Sequence, residues 1–222
     1  MTIRDIISLT RKRLQDLNPP YLWDNEELIA YCNEAIRQMC LKTAVIQDES
    51  TEAVCNIALV PGVSTYPLDR RVIFIDHVDL FYDGEQYPNL ERVNLSQIMT
   101  GNPSYFNSSG RPTAFCLDKE TGKIMTYPTT DTTGMMRLNV YREPLLALAV
   151  MEDIPEVDSS YHFLLVAGIC MFATNKVDSD TYDPAANAKH TAEWMANLEQ
   201  LQRIRAKTTT IPNVVMNYEG YL

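Results

Sequence analysis

The side chains that could do chemistry are present in this chain, but the sequence does not assemble them. His77, His162 and His190 stand far apart, and none falls into the HxH or HExxH spacing that brings two imidazoles to one metal. Asp178, Asp180 and Asp183 begin like a calcium loop. The glycine of the sixth position is missing, however, and Lys189 stands where the bidentate glutamate belongs. This stretch reads as a helix-capping linker. Glu26 with Glu27 and Glu152 with Asp153 are adjacent carboxylates, but the two acids of a glycosidase are defined by their separation in space. No GxSxG supplies a nucleophilic serine, and no GxxxxGK[ST] loop cradles phosphates. Cys32, Cys40, Cys55, Cys116 and Cys170 are odd in number, widely spaced and never form CxxC. They read as small core residues of a protein made in a reducing cytoplasm. The expectation is a protein with no catalytic residue, no metal and no cofactor.

Composition narrows the class further. A chain of 222 residues with 45% hydrophobic and 22% charged side chains can bury a real core, as one large domain or a core with one inserted module. Its net charge is −10, and residues 1–46 balance six basic against six acidic side chains, so the acidic excess lies beyond them. With no basic block, tight nucleic-acid binding is disfavoured, although an acidic surface can stand beside DNA and leave the polyanion mobile. The opening MTIRDIISLTRKRL lacks the apolar centre of a signal peptide. The longest apolar run, residues 163–173, falls short of the roughly 20 residues a membrane span needs.

The hydrophobic period assigns the elements. Ile3, Ile6, Ile7, Thr10, Leu14 and Leu17 recur at helical spacing behind a Thr2/Asp5 cap, and Asn18-Pro19-Pro20 stops the helix. A second helix opens at Asp24, with Leu28, Cys32, Ala35, Ile36 and Met39 as a stripe expected to face the first. From about residue 52 the period is two. Strands are expected at 54–59, 64–68, 71–82, 86–90, 113–117, 123–127 and 136–141, with a hairpin at Asp83-Gly84 and one helical turn at 95–99. A third helix is expected from Glu156 to Lys176, apolar enough to sit at the centre of the helical body. A fourth is expected from Asp183-Pro184 to about Lys207, with Trp194, Leu198, Leu201 and Ile204 or Arg205 on its stripe. The fold class expected is α+β. It comprises a four-helix bundle body (1–49 and 146–207), an antiparallel β-module inserted at 50–145 between helices two and three, and an extended C-terminal arm at 208–222.

The arm reads TTTIPNVVMNYEGYL after the last helix. Its β-branched and proline-broken sequence cannot prolong a helix, yet it is too apolar for a solvated terminus. It either folds back on its own subunit or lays a strand or apolar strap on a neighbour. Ile211, Val214, Val215, Met216, Tyr218 and Tyr221 are the expected partner-binding residues.

The opening hairpin also resembles a known family, the head-to-tail adaptor proteins of tailed bacteriophages. The resemblance lies in Trp23, Asp24, Glu27 and Leu28 at the start of helix two, and in Asn33, Glu34, Ala35 and Ile36 in its core. The segments STYPLD, GRPTAFCLD, KIMTYPTTD and LNVYREP are similar to the β-module of those adaptors. The resemblance implies a structural virion protein in the neck between head and tail. Such a protein forms a twelve-fold ring beneath the portal protein, meets tail or nozzle proteins below, and lines a channel through which DNA passes without sequence-specific contacts. Two other readings stand beside it. One is a stopper or tail-terminator protein of the neck; the other is a virion-associated cell-wall glycosidase, which would need two buried carboxylates in a cleft.

Overall fold

The computed structural model describes residues 1–176 and 183–208. Among them are six α-helices and nine β-strands, and the chain divides into two compact units. One contains residues 1–45 and the chain from 146 onward; the other contains residues 46–145.

In the first unit, helix α1 (Ile3–Leu14) starts on the expected capping box, in which Thr2 and Asp5 exchange side-chain to backbone hydrogen bonds. It ends earlier than the apolar spacing suggests, with Gln15 in the left-handed region, and Leu17 is left exposed. Helix α2 (Asn25–Thr43) is capped by the Asp24 carboxylate, which accepts from Glu27 N at 2.6 Å. Helix α5 (His162–Thr174) follows a 3-10 turn at Ser159–Tyr161. The helix expected from Glu156 is delayed because His162 Nε2 lies 2.8 Å from the Val157 carbonyl and Asp158 caps the turn through Ser160 N. Helix α6 (Pro184–Thr208) is capped by Asp183, which accepts from Ala185 N and Ala186 N at 3.0 Å each.

Helix α5 is apolar nearly all round and forms the axis of this unit. Helices α1, α2 and α6 all pack on it, whereas α1 and α2 touch each other little. The α2 stripe expected to face α1 is therefore spent mainly on α5. Contact is close at Gly168, where an added Cβ would stand 2.9 Å from Ala35 Cβ and 3.2 Å from the Trp194 ring. A stacked Tyr31–Phe172 pair at 5.9 Å joins α2 to α5 nearer the α5 C-terminus.

The second unit has two sheets. Strand β4 (Val72–Tyr82) and strand β9 (Gly134–Arg142) pair antiparallel at the middle of the first, with β5 (Glu85–Tyr87) beyond β4. On the other side of β9, β1 (Gln47–Asp48) and β2 (Asn56–Leu59) pair in succession along one edge. The second sheet runs in the order β3 (Thr65–Pro67), β8 (Lys123–Tyr127), β7 (Ala114–Cys116), β6 (Glu91–Arg92). Inner faces of both sheets share one apolar cluster that includes Val78, Leu80, Phe115, Ile124, Leu138 and Val140. The Asp83-Gly84 hairpin forms as expected, both residues taking positive φ of 51° and 81°, as a two-residue turn between twisted strands requires.

These findings correct the expected architecture while leaving the α+β class in place. The fold is not a four-helix bundle with a single antiparallel module. The stretch read as strands from residue 52 opens with helix α3 (Glu52–Cys55), its strands separate into two sheets, and β6 pairs with β7 in parallel, while the helical turn expected at 95–99 forms as α4 (Leu95–Gly101). The short strands suit a small sandwich or an open barrel, but alternating hydrophobicity shows only that a strand has a buried face, not which strand it pairs with, so the membership of each sheet and the parallel pairing could not be read from it. The expected arm at 208–222 lies outside the described residues, apart from Thr208 at the end of α6.

Candidate partner-binding surface

The most heavily built feature of the first unit is the corner between α1 and α2. Arg11, on the last turns of α1, forms a buried ion pair with Asp16, and its guanidinium also donates to the Trp23 carbonyl at 2.8 Å and Asn25 Oδ1 at 2.9 Å. The plane of Arg11 lies 3.9 Å from the centre of the Tyr21 ring. Asp16 in turn accepts from Leu22 N at 3.0 Å, and Trp23 Nε1 donates to Ala173 O at 3.1 Å, tying the corner to the end of α5. Such a buried pair holds only because every polar atom around it is satisfied. The result is a rigid corner with Leu17, Tyr21 and Leu22 facing outward.

Beside it opens a cleft of about 310 Å³, lined by Ser8, Lys12, Leu17 and Tyr21 among others. Arg4 borders the cleft and pairs with Glu152 across the exposed surface. Lys12 has no ion pair among the described residues. The cleft therefore joins an aromatic face, an aliphatic side chain and an unspent ammonium.

At the far side of α1, Arg13 pairs with Glu193 of α6. Trp194, Leu198 and Leu201 are buried as the α6 stripe predicted, whereas Ile204 at its end is exposed; Trp194 Nε1 donates to Gln38 Oε1 of α2 at 3.1 Å. Helix α6 is thus fixed to α1, α2 and α5. The six arm residues singled out in the sequence, Ile211, Val214, Val215, Met216, Tyr218 and Tyr221, lie outside the described residues.

The groups weighed for chemistry are dispersed into structural work. His77 on β4 lies 3.1 Å from the Asp76 carboxylate, whereas His162 and His190 are buried on separate helices, the latter with its pKa lowered by burial. Glu27 accepts from the Tyr31 hydroxyl at 2.8 Å and pairs with Lys176, and Asp153 caps a turn through Ala149 N and Val150 N. Asp178 and Asp180 lie outside the described residues, and no cluster of three or more metal-binding side chains occurs among those described. Every described carboxylate with a shifted pKa is pushed down, as at Asp69, held at about 2 by hydrogen bonds from Arg71. All five thiols are buried, and desolvation raises Cys32 and Cys170 to about 12. Among the described residues no helix is long and apolar enough to cross a membrane.

Sequence reasoning missed the α1–α2 corner. The signal was present in Arg11, Asp16 and Tyr21 on either side of the Pro-Pro stop, but nothing in the spacing says that a cation and a carboxylate five residues apart will be buried together.

The described residues form a unit of close-packed helices and a unit of two sheets. The sequence profile of the SU10 adaptor protein family matches residues 1–215, and the chain belongs to that family. This agrees with the resemblance to phage head-to-tail adaptors carried by Trp23, Asp24 and the Asn33–Ile36 core. No curated protein matches the chain.

Proposed function

We propose that this protein is the head-to-tail adaptor of a tailed phage, a structural component of the virion neck. Twelve copies form a ring beneath the portal protein, and tail or nozzle proteins attach below. DNA passes through the central channel without sequence-specific contacts. The observation that carries this reading is membership of the adaptor family over residues 1–215. The net charge of −10 suits the role, because a surface gripping phosphates tightly would stall the passing polyanion. The dispersal of carboxylates and imidazoles into caps and ion pairs supports a protein that assembles and does not catalyse.

In this reading residues 208–222 are the arm that holds the ring to its partner, the portal. Ile211, Val214, Val215, Met216, Tyr218 and Tyr221 are buried there, with backbone hydrogen bonds setting the register and alternate side chains filling pockets. Each large apolar side chain buried contributes roughly 1.5 to 3 kcal/mol before ordering costs. Repetition around a ring raises the effective concentration of every arm after the first. The test is deletion of residues 208–222 followed by binding to portal-containing heads, monitored by sedimentation. The truncated chain should keep its helical circular dichroism and fail to attach. Normal attachment would refute the role of the arm.

A further inference from the structure

We infer that the cleft at the α1–α2 corner is a docking site for this chain's own residues 218–221, Tyr-Glu-Gly-Tyr, before the arm is handed to its partner. The inference rests on the reading of residues 208–222 as a binding arm, and it adds where that arm rests in the free protein.

Chemical complementarity is the first argument. The cleft presents the exposed Tyr21 ring, the exposed Leu17 side chain and the ammonium of Lys12, which has no ion pair among the described residues. Residues 209–222 contain no lysine or arginine, a single acidic side chain at Glu219, and tyrosines on both sides of it. Tyr218 and Tyr221 can lie against Tyr21 and Leu17 while Glu219 meets Lys12. The receiving surface costs little to organise, because the Arg11–Asp16 pair and its bonds to Trp23 and Asn25 already hold Tyr21 in place.

Reach is the second argument. Glu193 of α6 is held against Arg13, the residue after cleft-lining Lys12. From Glu193 to Thr208 the helix extends roughly 22 Å, and from Thr208 to Tyr221 an extended chain spans roughly 43 Å. That length returns the distance travelled along α6 and also crosses the width of a helix, about 10–12 Å. Because tail and cleft share one chain, their encounter occurs at an effective concentration in the millimolar range, so even weak contacts are populated. A cleft filled by its own arm also hides the exposed Leu17 and Tyr21 until assembly, when repeated arm contacts around a ring outcompete it.

The experiment uses the full chain with a photoreactive benzoylphenylalanine in place of Tyr221. The protein is irradiated alone, as a mixture of unlabelled and ¹⁵N-labelled copies, and the adducts are mapped by mass spectrometry. Adducts are expected within residues 4–25, each joining residues of a single isotopic chain. Lys12→Glu should lower the adduct yield by about two- to fivefold, the range of an exposed ion pair, and Glu219→Lys added to it should restore the yield. Lys12 is exposed, so neither variant threatens the fold, and unchanged helical circular dichroism confirms this. Adducts elsewhere, no adducts, adducts joining light and heavy chains, or yields indifferent to Lys12 would each overturn the inference. Its failure is distinct from failure of the arm reading, since portal attachment by the intact chain and its loss on truncation are measured separately.

Discussion

Gly168 is a position at which the helical unit has little room, and replacing it by alanine makes a quantitative test of the packing. The new Cβ would sit 2.9 Å from Ala35 Cβ and 3.2 to 3.3 Å from two atoms of the Trp194 ring. Neither neighbour can yield cheaply. Ala35 Cβ is fixed to the α2 backbone, and Trp194 is wholly buried with its Nε1 bonded to Gln38. Overpacking of this kind costs about 1–3 kcal/mol. Alanine is the better helix former by about 1 kcal/mol, which offsets part of the clash. Gly168→Ala should therefore destabilise the protein by about 1 kcal/mol net, read from urea unfolding followed by far-ultraviolet circular dichroism. The sharper measurement is a double-mutant cycle with Ala35→Gly, which removes the methyl that the new one strikes. Ala35→Gly alone costs about 1 kcal/mol of helix propensity plus lost contact, yet in the Gly168→Ala background it relieves the clash. A coupling energy of at least about 1 kcal/mol is expected. Strict additivity, or a Gly168→Ala protein more stable than the parent, would refute the close approach of α2, α5 and α6.

Three further outcomes follow from other parts of the molecule. Asp16→Ala leaves the buried Arg11 without its carboxylate and Leu22 N without an acceptor; because Arg11 keeps Trp23, Asn25 and Tyr21, the cost should fall near 2–4 kcal/mol by the same denaturation assay. Asp69 is depressed from 3.8 to about 2 by Arg71, so its contribution is fully present above the unfolded value and is lost as pH falls through the folded one. Urea midpoints should therefore drop between about pH 4 and pH 2, and Asp69→Asn should flatten part of that drop. Asp48 is pulled the same way. Burial opposes its charge, but hydrogen bonds from Thr51, Arg142 and Ser50 outweigh that effect. Finally, the five buried thiols should resist iodoacetamide at pH 8 in the native protein and all react in denaturant, counted by intact mass. Rapid native labelling of Cys32 or Cys170 would contradict their burial.

Much of this protein was legible in its sequence where the determinant is local. Thr2 and Asp5, Asp24 and Asp183 each mark a helix start because a side-chain oxygen three residues or fewer from a free amide can cap it in any context. The stripe from Leu28 to Met39 marks a buried helix face, and the Asp83-Gly84 pair marks a hairpin because few residues accept positive φ. The adaptor family was legible too, in the residues around Trp23 and Asn33. What each buried face meets was decided only in three dimensions. The α2 stripe packs mainly on α5 and little on α1, because α5 is apolar nearly all round and gives its neighbours the largest surface to cover. Strands β1 and β2 share one edge of β9 with a helical turn between them, and the period of two carries no record of that choice. Arg11 and Asp16 read as ordinary charged residues at a helix end. Only the fold, by removing water from both and supplying Trp23, Asn25 and Leu22 as partners, makes of them the rigid corner that borders the cleft.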